Sequence, residues 1–321
     1  MIRTGAGFVI LTLMTHRVLL DCDPGHDDAI AIFLALSSPE IELLGITATH
    51  GNVGLEHTVR NALVLTQLAQ KEVPVYAGAS TPLIREPIQA TRVHGKTGLQ
   101  ASNLPEVVRS PEHLHAAQAI VDTVRNNPHE ITLVATGPLT NVALAFRLAP
   151  ELPSLLKKFV WMGGSTLYGN VTPSAEFNAF ADPHAAHIVF HSGVKVHMFG
   201  LNVTLQVLVK EEHILTLQAM NTEVGRISAE LMGHYVQFYR ERYGLDGAAL
   251  HDPCTIAYLI DPTLFSGTDQ HVDIDIQEGI NFGRTVSDHW GSHEAPNTWV
   301  ATEANGEEVL KLILERLSTF Q

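Results

Sequence analysis

The segment Asp21-Cys22-Asp23-Pro24-Gly25-His26-Asp27-Asp28 places four carboxylates within eight residues, directly after the apolar run Val18-Leu19-Leu20. Like charges this close repel, and the usual agent that offsets the repulsion is a hard divalent cation bound through carboxylate oxygens. A simple turn at Asp23-Pro24-Gly25, with Asp27 or Asp28 capping the next helix, is the alternative, and the segment alone leaves both open. Either way a buried strand ends here and a helix begins.

The rest of the chain repeats that step. Short apolar runs bounded by turn residues alternate with stretches of helical periodicity. The pattern predicts strands over 18–22, 43–49, 73–77, 131–136 and 159–162, with helices over 28–36, 55–70 and 114–126. A βα rhythm of this kind gives an α/β fold with a mostly parallel central sheet and helices on both faces. Two stretches break it. Residues 81–111 are too rich in Pro, Gly and polar residues for a helix or a central strand, and a loop that long is usually functional. Residues 210–244 read as consecutive helices, with Leu231, Tyr235, Phe238 and Tyr239 on one face, a flank or lid. No linker divides the chain, so a single domain over 14–321 is expected, with 1–13 an unstructured extension before a natural start at Met14.

Composition narrows the partners. The formal net charge of −14 repels phosphate backbones and anionic lipid, so nucleic acid polymers and membrane surfaces are excluded in favour of a small neutral molecule or a cation. Two cysteines, Cys22 and Cys254, cannot form a disulfide framework for 321 residues, which points to free thiols in a reducing cytoplasm. The apolar stretch 8–14 is too short for a secretory leader, and no run approaches the roughly 20 apolar residues that span a bilayer.

Distant polar residues share one position relative to the strands. Asp23, Asn52 and Thr136 each stand at or just beyond a predicted strand's carboxyl end, where open parallel sheets build their ligand crevice. His251-Asp252-Pro253 precedes another helical pattern, and by itself is equally good capping chemistry. Met162-Gly163-Gly164 leads through Gly169-Asn170 to Glu176-Phe177-Asn178. Its glycines let backbone approach a ligand, and Asn170, Glu176 and Asn178 offer donors and acceptors suited to sugar hydroxyls. His94, beside Gly95 in the long loop, could swing over a substrate, the commoner alternative being a histidine that is simply solvated.

Taken together, Asp21 to Asp28 with the later His251-Asp252-Pro253 resembles the inosine-uridine preferring nucleoside hydrolase family, as do Gly51-Asn52, His94-Gly95, Thr136-Gly137-Pro138-Leu139-Thr140-Asn141, Met162-Gly163-Gly164, Glu176-Phe177-Asn178 and Asp182-Pro183. The resemblance implies a Rossmann-like open sheet with the active site at the carboxyl ends of its strands, and hydrolysis of the N-glycosidic bond of a ribonucleoside by a calcium-bound water. It implies calcium on Asp23, Asp28, Asp252 and the Thr136 carbonyl. Asp27, Asn52, Glu176, Asn178 and Asp252 would hold the ribose, with Met162 and Asn170 lining the sugar pocket. Asp23 would be the general base. Acids for the departing base would be His251 for purines, and His94 with Tyr239 or Tyr243 for pyrimidines. Residues 243–251 look more like the pyrimidine-preferring branch, so uridine and cytidine are the expected substrates. A homodimer or homotetramer is implied. Three residues depart from the family pattern: Lys96 in the His-Gly loop, and Asn202 and Leu205 where relatives often carry Asp and His.

Other functions fit less well. A zinc site built on His184 and His187, one helical turn apart, lacks third and fourth ligands. No phosphate-cradling glycine loop follows a strand, which disfavours a kinase. A purine or broad-specificity hydrolase, and a non-catalytic nucleoside-binding protein, are the alternatives, the last distinguished by the carboxylate of Asp23.

Overall fold

The computed structural model describes residues 15–291 and 294–321; the expected extension over 1–13 lies outside them. Strands β1 (His16–Cys22), β2 (Ile41–Ala48), β3 (Val75–Ala77), β4 (Ile131–Ala135), β5 (Lys158–Met162) and β6 (Val196–Phe199) come in the first two thirds of the chain. Two short strands, β7 (Leu208–Val209) and β8 (Ala248–Ala249), pair with each other, and β9 (Phe265–Ile274), β10 (Thr285–Asp288) and β11 (Thr298–Ala304) follow. The main sheet has nine strands in the order β10-β9-β11-β6-β5-β4-β1-β2-β3. From β11 to β3 all neighbours are parallel, and β9 and β10 add an antiparallel edge.

Central β4 is buried along its whole length and β1 from Val18 to Cys22, on both faces, as a parallel sheet between helix layers requires. One layer packs helices His26–Ser37, Leu55–Leu68, Glu223–Tyr243, Pro253–Ile260 and Gly306–Leu317 into a core with Phe33, Ile46, Leu65 and Leu231. The other packs Ala116–Asn126, Thr140–Leu148 and Pro183–Phe190 around Leu133, Phe146, Phe159 and Trp161. Chain order reverses between β1 and β4, the switch point at which ligands bind in the doubly wound, Rossmann-type sheet.

Residues 211–243 form the two helices expected there, Glu211–Ala219 and Glu223–Tyr243, the second ended by Gly244 in the left-handed conformation at φ 67°. Within the long loop the chain makes one short helix, Thr91–His94. Cys22 and Cys254 are both free and buried. Among the described residues no helix is long and apolar enough to cross a membrane.

Candidate active site

Asp23 leaves the end of β1, Asn52 follows β2 and Thr136 follows β4, so the switch point gathers them as the strand ends predict. The turn at Pro24-Gly25 delivers Asp27 and Asp28 into the first turn of the His26–Ser37 helix. Gly25 has to be glycine here, because a Cβ would stand 2.4 Å from the Nδ1 of His94. Asp252 starts the Pro253–Ile260 helix, whose proline at the first position needs no hydrogen-bond partner.

Carboxylate oxygens of Asp27, Asp28 and Asp252 come within 4.8 Å of one another, all three residues being buried. Asp28 accepts from the Thr136 hydroxyl at 2.9 Å, from the Gly25 amide at 2.9 Å and from Asn52 Nδ2 at 3.1 Å. Asp23 stands outside that trio. Its Oδ2 accepts the Asn52 amide at 2.6 Å, while its Oδ1 is buried with no partner. Burial pushes the Asp27 carboxyl up to about 7, with the Asp28 charge adding to the effect. Burial drives Asp23 and Asp252 further upward, reinforced by Asp28 and by Asp27 respectively. Four buried acids with one orphaned oxygen fit a hard divalent cation, since a positive charge removes both the desolvation cost and the mutual repulsion. The two zinc-candidate histidines, His184 and His187, lie on the Pro183–Phe190 helix, and among the described residues the carboxylate trio alone has metal-binding spacing.

Above the acids opens a cavity of about 490 Å3. The residues expected at the sugar, Asp27, Asn52, Met162, Asn170, Glu176, Asn178 and Asp252, all line it together with Thr136, whereas Asp23 and Asp28 are fully buried beneath. Asn178 Nδ2 donates to the Thr136 carbonyl at 2.8 Å and to the Met162 carbonyl at 3.1 Å, tying the ends of β4 and β5 together. One lone pair of the Thr136 carbonyl is thereby used, and among the described residues the other has no donor. Glu176 caps the Phe177–Ala181 helix, taking the amides of Asn178 at 2.9 Å and Gly164 at 2.7 Å, and burial raises its carboxyl to about 7. Asn170 is exposed at the rim, where its Oδ1 accepts the Phe177 amide at 2.9 Å.

The opposite wall is aromatic. The short helix of the long loop brings up His94, whose Nδ1 accepts the His26 amide at 3.0 Å. Its single proton is therefore on Nε2, and burial, followed by the neighbouring His26 and His251, holds it neutral. From the Glu223–Tyr243 helix come Tyr235, Phe238, Tyr239 and Tyr243. The Tyr239 hydroxyl meets His251 Nε2 at 2.7 Å, and His251 Nδ1 meets the Thr204 hydroxyl at 2.7 Å. Burial lowers His251 to about 4. Tyr243 is 45% exposed and stacks edge-on to Tyr239, at the mouth of the cavity.

Several contributors escaped the sequence reading as site residues: Thr204, which meets His251, and from the cavity lining the segment 88–93, Val171, Phe177, Phe180, Tyr235, Phe238 and Arg242. The spacing of Tyr235, Tyr239 and Tyr243 at successive intervals of four is the one signal that was there to find. Of the three departures, Lys96 is exposed. Asn202 bridges the loop after β5 to β11, accepting the Thr166 amide at 3.4 Å and donating to the Ala301 carbonyl at 2.7 Å. Leu205 packs against the core.

A pocket with an acidic floor, amide and carboxylate groups at its sides and neutral proton donors on the facing wall has the chemistry of an N-glycosyl hydrolase: it can hold a hydroxyl-rich ring, favour positive charge on it and protonate what departs. The chain belongs to the inosine-uridine preferring nucleoside hydrolase family, whose family model matches residues 18–311, and it is a ribonucleoside hydrolase. It is 42% identical over 310 residues to the pyrimidine-specific ribonucleoside hydrolase RihA of Photobacterium profundum, a match covering 96% of this chain and 100% of the relative. The protein of that name from Escherichia coli strain K12 is also 42% identical, with the same coverage. Among solved structures, the purine-preferring ribonucleoside hydrolase from Gardnerella vaginalis superposes with a TM-score of 0.90 at 36% identity, over 95% of this chain and 98% of its own. An inosine-guanosine nucleoside hydrolase superposes with a TM-score of 0.86 at 27% identity, over 96% and 100%.

Proposed function

We propose that the protein hydrolyses pyrimidine ribonucleosides, uridine and cytidine, at a site holding one calcium ion. The observation that carries the reading of the chemistry is the buried carboxylate cluster with the orphaned Asp23 oxygen, directly beneath a cavity of sugar-binding groups. The curated relatives that are 42% identical are named for pyrimidine specificity, which favours uridine and cytidine over purine nucleosides.

Asp28 and Asp252, from the convergent trio, would hold the ion together with Asp23 and the remaining lone pair of the Thr136 carbonyl. When bound, calcium neutralises the clustered acids and supplies an oriented, more acidic water. Asp27, Asn52, Glu176, Asn178 and Asp252 hold the ribose, with Met162 and Asn170 beside it. As the base departs, the ring gains oxocarbenium character, and the surrounding carboxylates stabilise that charge. Asp23 takes the proton from water through its unpartnered Oδ1. His94, Tyr239 and His251 form the wall facing the base, and Tyr243 closes its outer edge. A homodimer or homotetramer in the cytoplasm completes this reading.

The test is to incubate the protein with uridine, cytidine, inosine and adenosine before and after chelation and to follow free base by chromatography. Calcium-dependent release of uracil or cytosine well above hypoxanthine is expected. Faster hypoxanthine release would overturn the base preference, and no release with calcium present would leave nucleoside binding without turnover.

A further inference from the structure

We propose that Thr204 sets the tautomer of His251 and thereby aims the Tyr239 proton at the departing base. Thr204 stands in the short Leu201–Thr204 helix after β6, fully buried and outside the residues that line the cavity. Its hydroxyl lies 2.7 Å from His251 Nδ1. On the other side of the imidazole, Nε2 lies 2.7 Å from the Tyr239 hydroxyl, which is on the cavity wall.

The direction of this chain follows from counting protons. Among the described residues the Thr204 hydroxyl has His251 as its one hydrogen-bond partner. A buried hydroxyl needs an acceptor for its hydrogen, and here that acceptor is the Nδ1 lone pair. With Nδ1 accepting, a neutral His251 carries its proton on Nε2 and donates it to the Tyr239 oxygen. The opposite tautomer would put a hydrogen on Nδ1 and leave the Thr204 hydrogen buried without an acceptor. Tyr235 packs edge-on against Tyr239, with ring centroids 5.1 Å apart. With His251 donating to it, the Tyr239 oxygen has its own hydrogen directed away from the imidazole, and its phenolate is supported as it forms.

The inference rests on the nucleoside-cleaving reading of the site and adds a positioning residue to it. When the glycosidic bond breaks, its electron pair leaves with the base, which takes the Tyr239 proton. The proton of the attacking water passes to Asp23. After the base departs, solvent restores one proton to Tyr239 and removes one from Asp23. Thr204 touches neither substrate nor cation, and acts only by fixing which nitrogen of His251 bears hydrogen.

Nitrogen-15 NMR of the histidine-labelled protein reads the tautomer directly. A His251 signal of the Nε2–H form is expected, and the Nδ1–H form would overturn the proposal whatever the activity. Kinetically, Thr204→Val removes the hydroxyl at nearly constant volume and should lower kcat for uridine by about 10-fold or more, with KM changed by less than about 3-fold. Thr204→Ser should restore most of the rate. On a riboside with a nitrophenolate leaving group, which departs without a proton, Thr204→Val should match the wild type. A Thr204→Val enzyme as fast as wild type on uridine, or equally slow on both substrates, would overturn the proposal. A wild-type protein that cleaved neither substrate would instead sink the nucleoside reading and the aim of Tyr239 with it, and the NMR signal would still decide the tautomer.

Discussion

Asp23 differs from its acidic neighbours in what its two oxygens do. Oδ2 is fixed by the Asn52 amide at 2.6 Å, so the side chain cannot rotate away, and Oδ1 is left with no partner. An acid held this way is suited to taking a proton from a fixed direction. Asp23→Asn keeps the shape and removes the basicity, so kcat for uridine should fall by about 10²–10⁴-fold while calorimetry still records nucleoside binding. Turnover within about 3-fold of wild type would move the base elsewhere, with Asp27 next in line because it reaches the cavity. At this scale the sequence was largely legible. Asn52 and Thr136 could be placed in advance because each follows a strand end, a position that a βα pattern locates well, whereas Asp27, Met162, Asn170, Glu176, Asn178 and Asp252 were assigned to the sugar through the family resemblance; all of them line the cavity. Thr204 could not, because nothing in Gly200-Leu201-Asn202-Val203-Thr204 reveals that its hydroxyl meets a histidine 47 residues away.

Among the elements, the loop after β5 shows how packing sets a functional distance. Gly163 lies against the fully buried Trp161, and a Cβ on Gly163 would fall 2.0 Å from the indole Cζ2. The next amide, that of Gly164, donates to Glu176. Gly163→Ala should therefore destabilise the protein by about 1–3 kcal/mol in a denaturant titration. It should also raise KM, because Glu176 loses its anchor as the loop shifts. An alanine variant with unchanged midpoint and KM would mean that the indole can yield. Strands β4 and β5 and most of β1 were readable as apolar runs because both their faces are buried. The antiparallel pair β9 and β10 was not, since an edge strand alternates buried and exposed positions, and Phe265–Ile274 carries Ser, Thr, Gln, His and two Asp along its length. Helices of four or five residues, such as Thr91–His94 and Phe177–Ala181, are too short to establish a 3.6-residue period.

For the molecule as a whole, the acids make stability depend on pH and on cation together. Asp21, Asp27 and Glu176 are each raised to about 7 by burial, from about 4 in an unfolded chain. A folded pKa above the unfolded one gives stability that is complete below about pH 4 and is lost as pH rises through about 7. His50 and His251, lowered to about 4 by burial, act in the opposite sense: their contribution is present above about 6.5 and lost as pH falls through 4. A cation must displace the protons that the acids hold, so its effect should grow with pH. At one fixed concentration, about 100 times the Kd at pH 8, calcium should raise Tm by an amount on the order of 5 °C at pH 8 and by much less at pH 5, measured by scanning calorimetry against a chelated control. Equal increments at both pH values would place the cation away from these carboxylates.

The floor of the cavity and its aromatic wall come from different parts of the chain. Carboxylates and sugar-facing amides stand on strand ends and helix starts braced by the buried sheet, whereas Ile88 to His94 and Tyr235 to Tyr243 belong to a surface loop and to one outer helix. His94 apart, whose ring takes the His26 amide in the turn that carries Asp27 and Asp28, changes in the wall can therefore accumulate without disturbing the backbone that holds the acids. A scaffold divided in this way lets selection retune which base is accepted and how it is protonated while the carboxylate floor is inherited unaltered, so exchanging those two segments between relatives is the economical route to a new specificity.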